Sequence, residues 1–400
     1  MAGSTLSLYN LAPVLQVMGT GLLIAGGLLA WFWVRQRDAS LSQRLGALTL
    51  LALFLTFDLI LFGAFTRLTG SGLGCPDWPG CYGFSSPVGA SGDIAAAQAL
   101  MPTGPVTHAK AWIEMVHRYL ATSVGVLIIV LTLATFWAWW RARKNPDSDE
   151  QRAQAIVRPW WPLLTLVWIC AQGAFGALTV TMKLFPAVVT THLLGGIGLL
   201  VLLVIQAEHY RQAGGQSAAE GLSPGTRGLL WGVTALLAIQ IALGGWVSTN
   251  YAVLACDTFP KCQGSWWPTM NFSQGFELWR ALGHTASGAL LGFPALTAIH
   301  YVHRLFAYLV IAAMLTLVAR LHYDQRLRRQ RRWLLGLIAL QFLTGLSNVV
   351  LGWPLVAAVA HTGGAAALMA VLAWTLCASR AAVLYPSKAG SYTMAPRVTT

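Results

Sequence analysis

Charge is what this chain has least of. Asp and Glu together number 13 in 400 residues, and charged residues of both signs make up 10%, against 56% hydrophobic. A soluble globular domain carries about 25% charged residues, so that class is excluded. The apolar runs of roughly 20 residues therefore read as membrane spans and not as buried core helices. Ionisable groups within these runs keep to their outer ends. A proton-conducting transporter, which needs such groups through the full membrane depth, is disfavoured for that reason. The net charge of +13 does not point to nucleic acid, because the positive residues cluster between spans. No basic n-region precedes the first apolar run, which is too long for a signal peptide and reads as a retained helix; no Arg/Ser-rich transit peptide leads the chain.

Cysteine is also scarce, with 6 residues. Cys170 and Cys377 stand alone in mid-span and read as packing residues. Cys75 and Cys81 share a short loop on the side where thiols oxidise. A disulfide closing that loop is the favoured reading. A metal pair is the rival, weakened because no histidine or third cysteine is adjacent.

What is present is a regular series of nine apolar runs, at about 12–34, 45–66, 112–140, 159–181, 188–207, 228–249, 299–319, 333–351 and 357–379. Residues 92–101 suggest a surface helix, and residues 281–298 a re-entrant or surface segment. Of the 26 basic residues, only Arg67, Lys110, Arg118, Lys183, Lys261, Arg280 and Arg304 fall outside or at the outer boundary if the N-terminus is outside. The rest, including Arg152, Arg158, Arg380, Lys388 and Arg397, fall inside. The positive-inside rule thus predicts a periplasmic N-terminus and a cytoplasmic C-terminus, in a bacterial inner membrane.

The chain repeats itself with a period of about 180 residues. GGWVSTNYAVLACDTFPKC replays GAFTRLTGSGLGCPDWPGC, with Gly244 on Gly63, Cys256 on Cys75 and Cys262 on Cys81. VHRLFA at 302–307 replays VHRYLA at 116–121, Gln341 falls on Gln172, and His361 on His192. Each repeat holds four spans, so the halves are parallel and not inverted. The expected fold class is all-α: a polytopic membrane protein with nine transmembrane helices, one extra N-terminal helix (1–44) and two pseudo-twofold-related four-helix bundles (45–210 and 228–379). An inner linker (211–227) joins the bundles, and a cytoplasmic tail (380–400) follows.

Four histidines fall at one depth in this scheme: His117 and His192 in the first half, His303 and His361 in the second. Two imidazoles from facing helices of a bundle can hold a planar haem between them. Small residues after the fourth-helix histidines (Gly195, Gly196, Gly363, Gly364) would let the macrocycle approach the backbone. Arg118 and Arg304 are candidates for pairing with propionates. Arg67 either pairs with an anionic ligand group or snorkels to the interface. Glu114 lies one turn from His117, on the same helix face. Its counterpart is His300, so proton transfer or charge stabilisation is expected in the first half only. Asp58, within the second span, is a costly carboxylate whose bland reading is a helix–helix hydrogen bond.

These motifs, TRLTGSGLGCPDWPGCYG, EMVHR, TTHLLGG, HYVHR and VAHTGG, resemble those of the haem A synthase family over nearly all of residues 45–379. The type is the proteobacterial one with an added N-terminal helix. The resemblance implies oxidation of the C8 methyl of haem O to a formyl group by successive hydroxylations, giving haem A for cytochrome c oxidase. It implies that His117 and His192 flank the substrate haem, that Glu114 is the catalytic carboxylate, and that His303 and His361 ligate a haem b cofactor. It implies outer-loop disulfides Cys75–Cys81 and Cys256–Cys262. The implied partners are haem O, membrane lipid and, from the pathway, haem O synthase (the protohaem farnesyltransferase); no nucleic acid is expected, and homo-oligomerisation stays open. Two rivals remain: a dihaem membrane cytochrome passing electrons from quinol without substrate chemistry, and a cofactor carrier.

Overall fold

The structure, a computed structural model, describes residues 12–144, 159–213 and 221–379. Among them, nine helices are long and apolar enough to cross a membrane. These are α1 (Ala12–Arg35), α2 (Leu41–Leu68), α4 (His108–Lys144), α5 (Trp160–Thr181), α6 (Pro186–Ala213), α7 (Pro224–Thr249), α9 (Phe293–Arg320), α10 (Arg328–Val350) and α11 (Leu355–Ala378). The surface helix is α3 (Ser91–Leu100), and α8 (Phe272–Gly275) is a single turn. The chain is an all-α, multi-pass membrane protein.

Local chemistry sets the helix ends. Ser40 caps α2: its hydroxyl accepts the Gln43 N–H while the Gln43 side chain accepts the Ser40 N–H, which satisfies two otherwise orphaned donors. Ser223 caps α7 ahead of Pro224, whose missing N–H costs nothing at a helix start. The turns joining α5 to α6 and α10 to α11 are built alike. Lys183 and Leu184 in the first, Gly352 and Trp353 in the second, take positive φ. The second residue of each pair then donates its N–H back to a helix carbonyl, Leu184 to Thr179 (2.8 Å) and Trp353 to Asn348 (3.0 Å).

Each half closes into a ring of helices. In the first, α2 packs on α4, α4 on α5, α5 on α6 and α6 back on α2; in the second, α7, α9, α10 and α11 close in the same order. Between the rings α2 meets α11, α7 meets α6, and α6 meets α11. Exchanging the halves maps this set of contacts onto itself. Lipid tails are as apolar as leucine, so close packing and small residues drive such contacts. Gly363 of α11 admits Leu61 of α2: a β-carbon there would lie 2.4 Å from Leu61 Cδ2. Gly245 of α7 likewise faces Thr190 and Leu193 of α6.

Helix α1 stands outside both rings and packs on α4. At the crossing a β-carbon on Gly21 would lie 2.5 Å from Thr122 Cγ2, and the Ser123 hydroxyl donates to the Gly21 carbonyl (3.2 Å). Toward its N-terminal end Val17 joins Cys75, Cys81, Met115 and Tyr119 in one buried apolar cluster.

Of the two readings of 281–298, the surface segment holds for 281–292 and neither holds for the rest. Residues 293–298 are the first turns of α9. Residues 281–292 form a loop tied by Thr285 N–H to the Ala289 carbonyl (2.8 Å) and Leu291 N–H to the Gly283 carbonyl (2.9 Å). The loop has its own backbone bonds and needs no re-entrant helix to satisfy them. It is anchored by Arg280, only 2% exposed, which donates to Asn250 Oδ1 (2.6 Å). Cys377 is buried as expected, whereas Cys170 is exposed on α5. Of the sequence expectations, residues 1–11, part of the linker (214–220), Arg152, Arg158 and the tail with Arg380, Lys388 and Arg397 lie outside the described residues.

Candidate functional site

Two outer loops of matching construction cover the histidine ends of the rings. Cys75–Cys81 and Cys256–Cys262 are both bonded and fully buried. Each second cysteine opens a two-residue turn, Tyr82–Gly83 or Gln263–Gly264, with both central residues at positive φ. Cys81 and Phe84 exchange both backbone hydrogen bonds (2.7 and 2.9 Å), as do Cys262 and Ser265 (2.9 and 3.0 Å). The Asp77 carboxylate accepts the N–H groups of Tyr82 and Gly83, each at 2.7 Å. Burial first, then the nearby carboxylates of Asp93 and Asp77, push the Tyr82 phenol above its ordinary pKa.

The arginines next to His117 and His303 hold these loops. Arg118, 9% exposed, donates from one Nη to the carbonyls of Asp77, Pro79 and Gly80 (3.0, 3.1 and 2.5 Å) and from the other to Glu114 Oε1 (2.5 Å). Arg304 donates to the carbonyls of Thr258, Lys261 and Cys256 (2.8, 3.0 and 3.3 Å). Both were expected beside propionates. In the structure each fork meets three convergent loop carbonyls, a set that a buried guanidinium satisfies with charge-assisted hydrogen bonds. Arg67 donates to the Ser248 carbonyl (2.6 Å) and lies over the Tyr251 ring (4.1 Å), bridging the two halves.

Glu114, 4% exposed, accepts the Cys75 N–H at Oε2 (2.8 Å) while Oε1 takes Arg118. His300 does the equivalent in the second half, its Nδ1 accepting the Cys256 N–H (3.3 Å). Position 114/300 thus anchors the first cysteine of each loop. Only Glu114 brings a negative charge to that place. Asp58 is half-buried on α2.

His117 lies nine residues into α4 and His303 ten into α9, about 14–15 Å from the helix start at 1.5 Å per residue. His192 and His361 lie six residues into α6 and α11, about 9 Å in. All four rings are half-buried. His117 on α4 and His192 on α6 stand on opposite helices of the first ring, as His303 on α9 and His361 on α11 do in the second. Each ring lays its Cε1 edge on a glycine of a neighbouring helix. A β-carbon would lie 3.1 Å away at Gly63 (His117), 3.3 Å at Gly176 (His192), 3.0 Å at Gly244 (His303) and 3.1 Å at Gly345 (His361).

Nδ1 is held for three of the four rings. Gln172 Nε2 lies 3.0 Å from Nδ1 of His192 and Gln240 Nε2 3.0 Å from Nδ1 of His303. For His361 the partner is the Thr344 hydroxyl (2.9 Å), which gives its own proton to the Leu340 carbonyl (2.7 Å) and so accepts from Nδ1–H. That leaves Nε2 of His361 with its lone pair, the state a metal ligand needs. A side-chain amide can meet Nδ1 with nitrogen or oxygen. Gln240 Nε2 also donates to the His303 carbonyl (3.1 Å), so the amide meets Nδ1 as a donor and leaves its own Oε1 buried and unpartnered; ligation through Nε2 of His303 requires that amide to turn its oxygen to the ring. The donor set therefore fits two bis-imidazole haem sites.

Sequence reasoning missed this second set of residues. Its signal was a repeated Q-x-x-x-G: Gln172 with Gly176, Gln240 with Gly244, Gln341 with Gly345. Residues four apart share a helix face, so glutamine and glycine meet the same ring or the backbone beside it. The glycines after His192 and His361 also serve differently from expectation. A β-carbon on Gly195 would lie 2.1 Å from Gln172 Oε1, and one on Gly364 2.5 Å from Gln341 Nε2. They make room for glutamines that donate to the His192 and His361 carbonyls (2.6 and 2.7 Å), not for a macrocycle.

Comparison with known proteins agrees with this architecture. The profile described as COX15-CtaA, cytochrome oxidase assembly protein, matches residues 46–373 and leaves α1 outside. A protein of Shewanella oneidensis named "Heme A synthase" is 38% identical over 325 residues, covering 80% of this chain and 92% of its own length. Proteins of the same name from Halalkalibacterium halodurans and Rhizorhabdus wittichii are 27% and 26% identical, covering 79% and 84% of this chain and 89% and 95% of their own lengths. The duplicated rings, the paired histidines and the match across both halves place this chain in the COX15-CtaA family of cytochrome oxidase assembly proteins.

Proposed function

We propose that the protein is a haem A synthase, oxidising the C8 methyl of haem O to a formyl group by successive hydroxylations. The carrying observation is a pair of half-buried histidines on opposite helices of each ring, with a carboxylate one turn from His117 and a histidine at the matching place in the second half. In this reading His117 and His192 hold the substrate haem in the first ring (45–210). His303 and His361 hold haem b in the second (228–379). Haem b, when bound there, supplies one-electron transfer. The overall change is an oxidation and belongs to the oxidoreductases acting on CH groups.

The chain's own residues bind, orient and shield. Gly63, Gly176, Gly244 and Gly345 set how far each imidazole retracts toward the neighbouring helix. Thr344 fixes the His361 tautomer and ring plane. Glu114 Oε1 shares the Arg118 proton, and Oε2 stays tied to the Cys75 N–H. A buried carboxylate so held can stabilise positive charge on a substrate or exchange a proton at Oε1, if Arg118 shifts toward the loop carbonyls. Arg67, the one of the three arginines not committed to a disulfide loop, is the remaining propionate partner. A farnesylated substrate enters from the lipid, and haem O synthase is the enzyme expected to hand it over. The basic inner ends of α1, α4, α6 and α9 favour a periplasmic N-terminus and cytoplasmic C-terminus in the inner membrane.

Extraction and chromatography of haems from the purified protein tests the reading. Haem b together with haem O or haem A is expected; haem b alone at both sites would make the chain an electron-passing cytochrome. Glu114→Gln, which keeps an acceptor for the Cys75 N–H, should retain both haems and lose haem A formation.

A further inference from the structure

The loop between α9 and α10 gathers more charge than its place requires. Residues 320–332 hold six arginines and one carboxylate, Asp324. Arg326 takes that carboxylate, donating to it from Nε (3.0 Å) and Nη2 (2.7 Å). Arg331 donates to the His322 carbonyl (2.8 Å), and Arg329 lies over the Trp374 ring (5.5 Å). Arg328 and Arg332 are exposed and one turn apart on α10, whose first turn holds no acidic residue. Like charges so placed repel. The positive-inside rule needs basic residues near the end of a span; it does not need them to converge. Here they do. Arg326, Arg328, Arg329 and Arg332 line a cavity of about 630 Å³, with Trp333 at its edge. Beside it, around α10, a second cavity of about 440 Å³ opens between α9 and α10. Arg331 and Tyr323 stand at its head, and Leu315, Val318 and Leu335 form its walls. Leu315 and Leu335 are 46% and 44% exposed. The seam is open because α9 and α10 touch less than any other neighbours in the two rings.

A basic rim above an apolar groove, at the end of a membrane span, fits a ligand with an anionic head and a hydrocarbon tail. Guanidinium groups take phosphate oxygens in pairs, and basic pockets between spans on the cytoplasmic side hold phospholipid head groups. We propose that the inner end of the α9–α10 seam binds an anionic phospholipid. Arg328 and Arg332 take the phosphodiester. Tyr323 and Trp333 stand at head-group level, as interfacial aromatics do. An acyl chain lies along Leu315, Val318 and Leu335. The occupant bridges the helix that carries His303 and the helix whose Thr344 and Gly345 meet His361, so it fastens the second ring. The leaflet rests on the inward orientation proposed above; the site itself does not.

The test uses the full-length protein in a neutral detergent, which offers no extended charged surface and is indifferent to the leaflet. Phosphatidylglycerol is titrated in while the melting temperature is followed, and native mass spectrometry counts the lipid retained. A saturable rise with lipid retained is expected, and neither phosphatidylcholine nor inorganic phosphate should reproduce it. Arg328→Gln with Arg332→Gln should weaken phosphatidylglycerol binding by about fivefold for each arginine, or about 25-fold for the pair. Arg35→Gln with Arg37→Gln, an exposed basic pair at the inner end of α1, should leave it unchanged. Equal weakening by both pairs would overturn the inference, since diffuse inner charge would then explain the binding. Equal protection by inorganic phosphate would overturn it in favour of a free anion. Binding that appears only after Asp147→Asn, Asp149→Asn and Glu150→Gln would overturn it in favour of the chain's own acidic segment as occupant. No saturable binding in any of these variants would overturn it outright, with the haem assignments untouched.

Discussion

Adding one methyl group at Gly244 should disturb the second haem site, although Gly244 is no ligand. The new β-carbon would lie 3.0 Å from Cε1 of His303, where ordinary contact begins near 3.4 Å. The ring must yield by about 0.4 Å, and it cannot turn freely because Gln240 holds Nδ1 at 3.0 Å. Overpacking of this kind costs about 1–3 kcal/mol. Replacing a mid-helix glycine by alanine otherwise returns about 0.5–1 kcal/mol, so Gly244→Ala should destabilise by up to about 2.5 kcal/mol on those two magnitudes. Gly176→Ala needs only about 0.1 Å from His192, whose β-carbon contact is 3.3 Å, and should be neutral or better. Gly232 of α7 and Gly173 of α5 have nothing within 4 Å, so alanine there should stabilise. SDS titration of the purified protein ranks the four, and the absorbance of the second haem reports the ring shift. Gly244→Ala as stable as Gly232→Ala, with an unchanged spectrum, would refute the steric argument.

Arg118→Met should cost more than Arg304→Met. Both lose three carbonyl partners, but only the first leaves a buried carboxylate without its counter-charge, a loss of about 3–5 kcal/mol. Adding Glu114→Gln to Arg118→Met should recover much of the difference, and equal unfolding midpoints for the two arginine variants would count against it. Gly21→Leu should prise α1 from Thr122 and uncover the cluster that joins Val17 to Cys75 and Cys81. Reductant followed by thiol labelling should then reach that pair before Cys256 and Cys262. On the loop between α9 and α10, the Arg326 hydrogen bonds hold the Asp324 carboxyl below its ordinary pKa. Its stabilisation is full above the ordinary carboxylate value and is lost as pH falls through the lowered one. Asp324→Asn should flatten that acid limb by less than about 1 kcal/mol, the pair being largely solvent-screened.

The nine spans were legible because in lipid a backbone must satisfy itself within one helix, so an apolar run of sufficient length has a single solution. Helix starts were less so: the runs read from 45 and 228 begin at Leu41 and Pro224, where Ser40 and Ser223 cap them. The repeat was legible too, since Gly63, Cys75 and His192 recur as residue types in register at Gly244, Cys256 and His361. What Arg118 and Arg304 touch was not legible. Their neighbours in sequence are the histidines, but their neighbours in space are carbonyls about 40 residues earlier. Gly195 and Gly364 were misread for a similar reason: what fills the space above a glycine belongs to another helix.

By itself, then, the sequence determined where the chain crosses the membrane, that it is built twice over, and which four imidazoles are available. Period, length and residue type suffice for these, because each is a property of one segment and its solvent. Only the tertiary structure decided what surrounds the imidazoles: glutamine or threonine at Nδ1 of three rings, glycine at Cε1 of all four, and a disulfide loop held by the carboxylate beside His117. Those contacts arise between helices, where the rotation of one about its axis chooses which of its residues its neighbour meets.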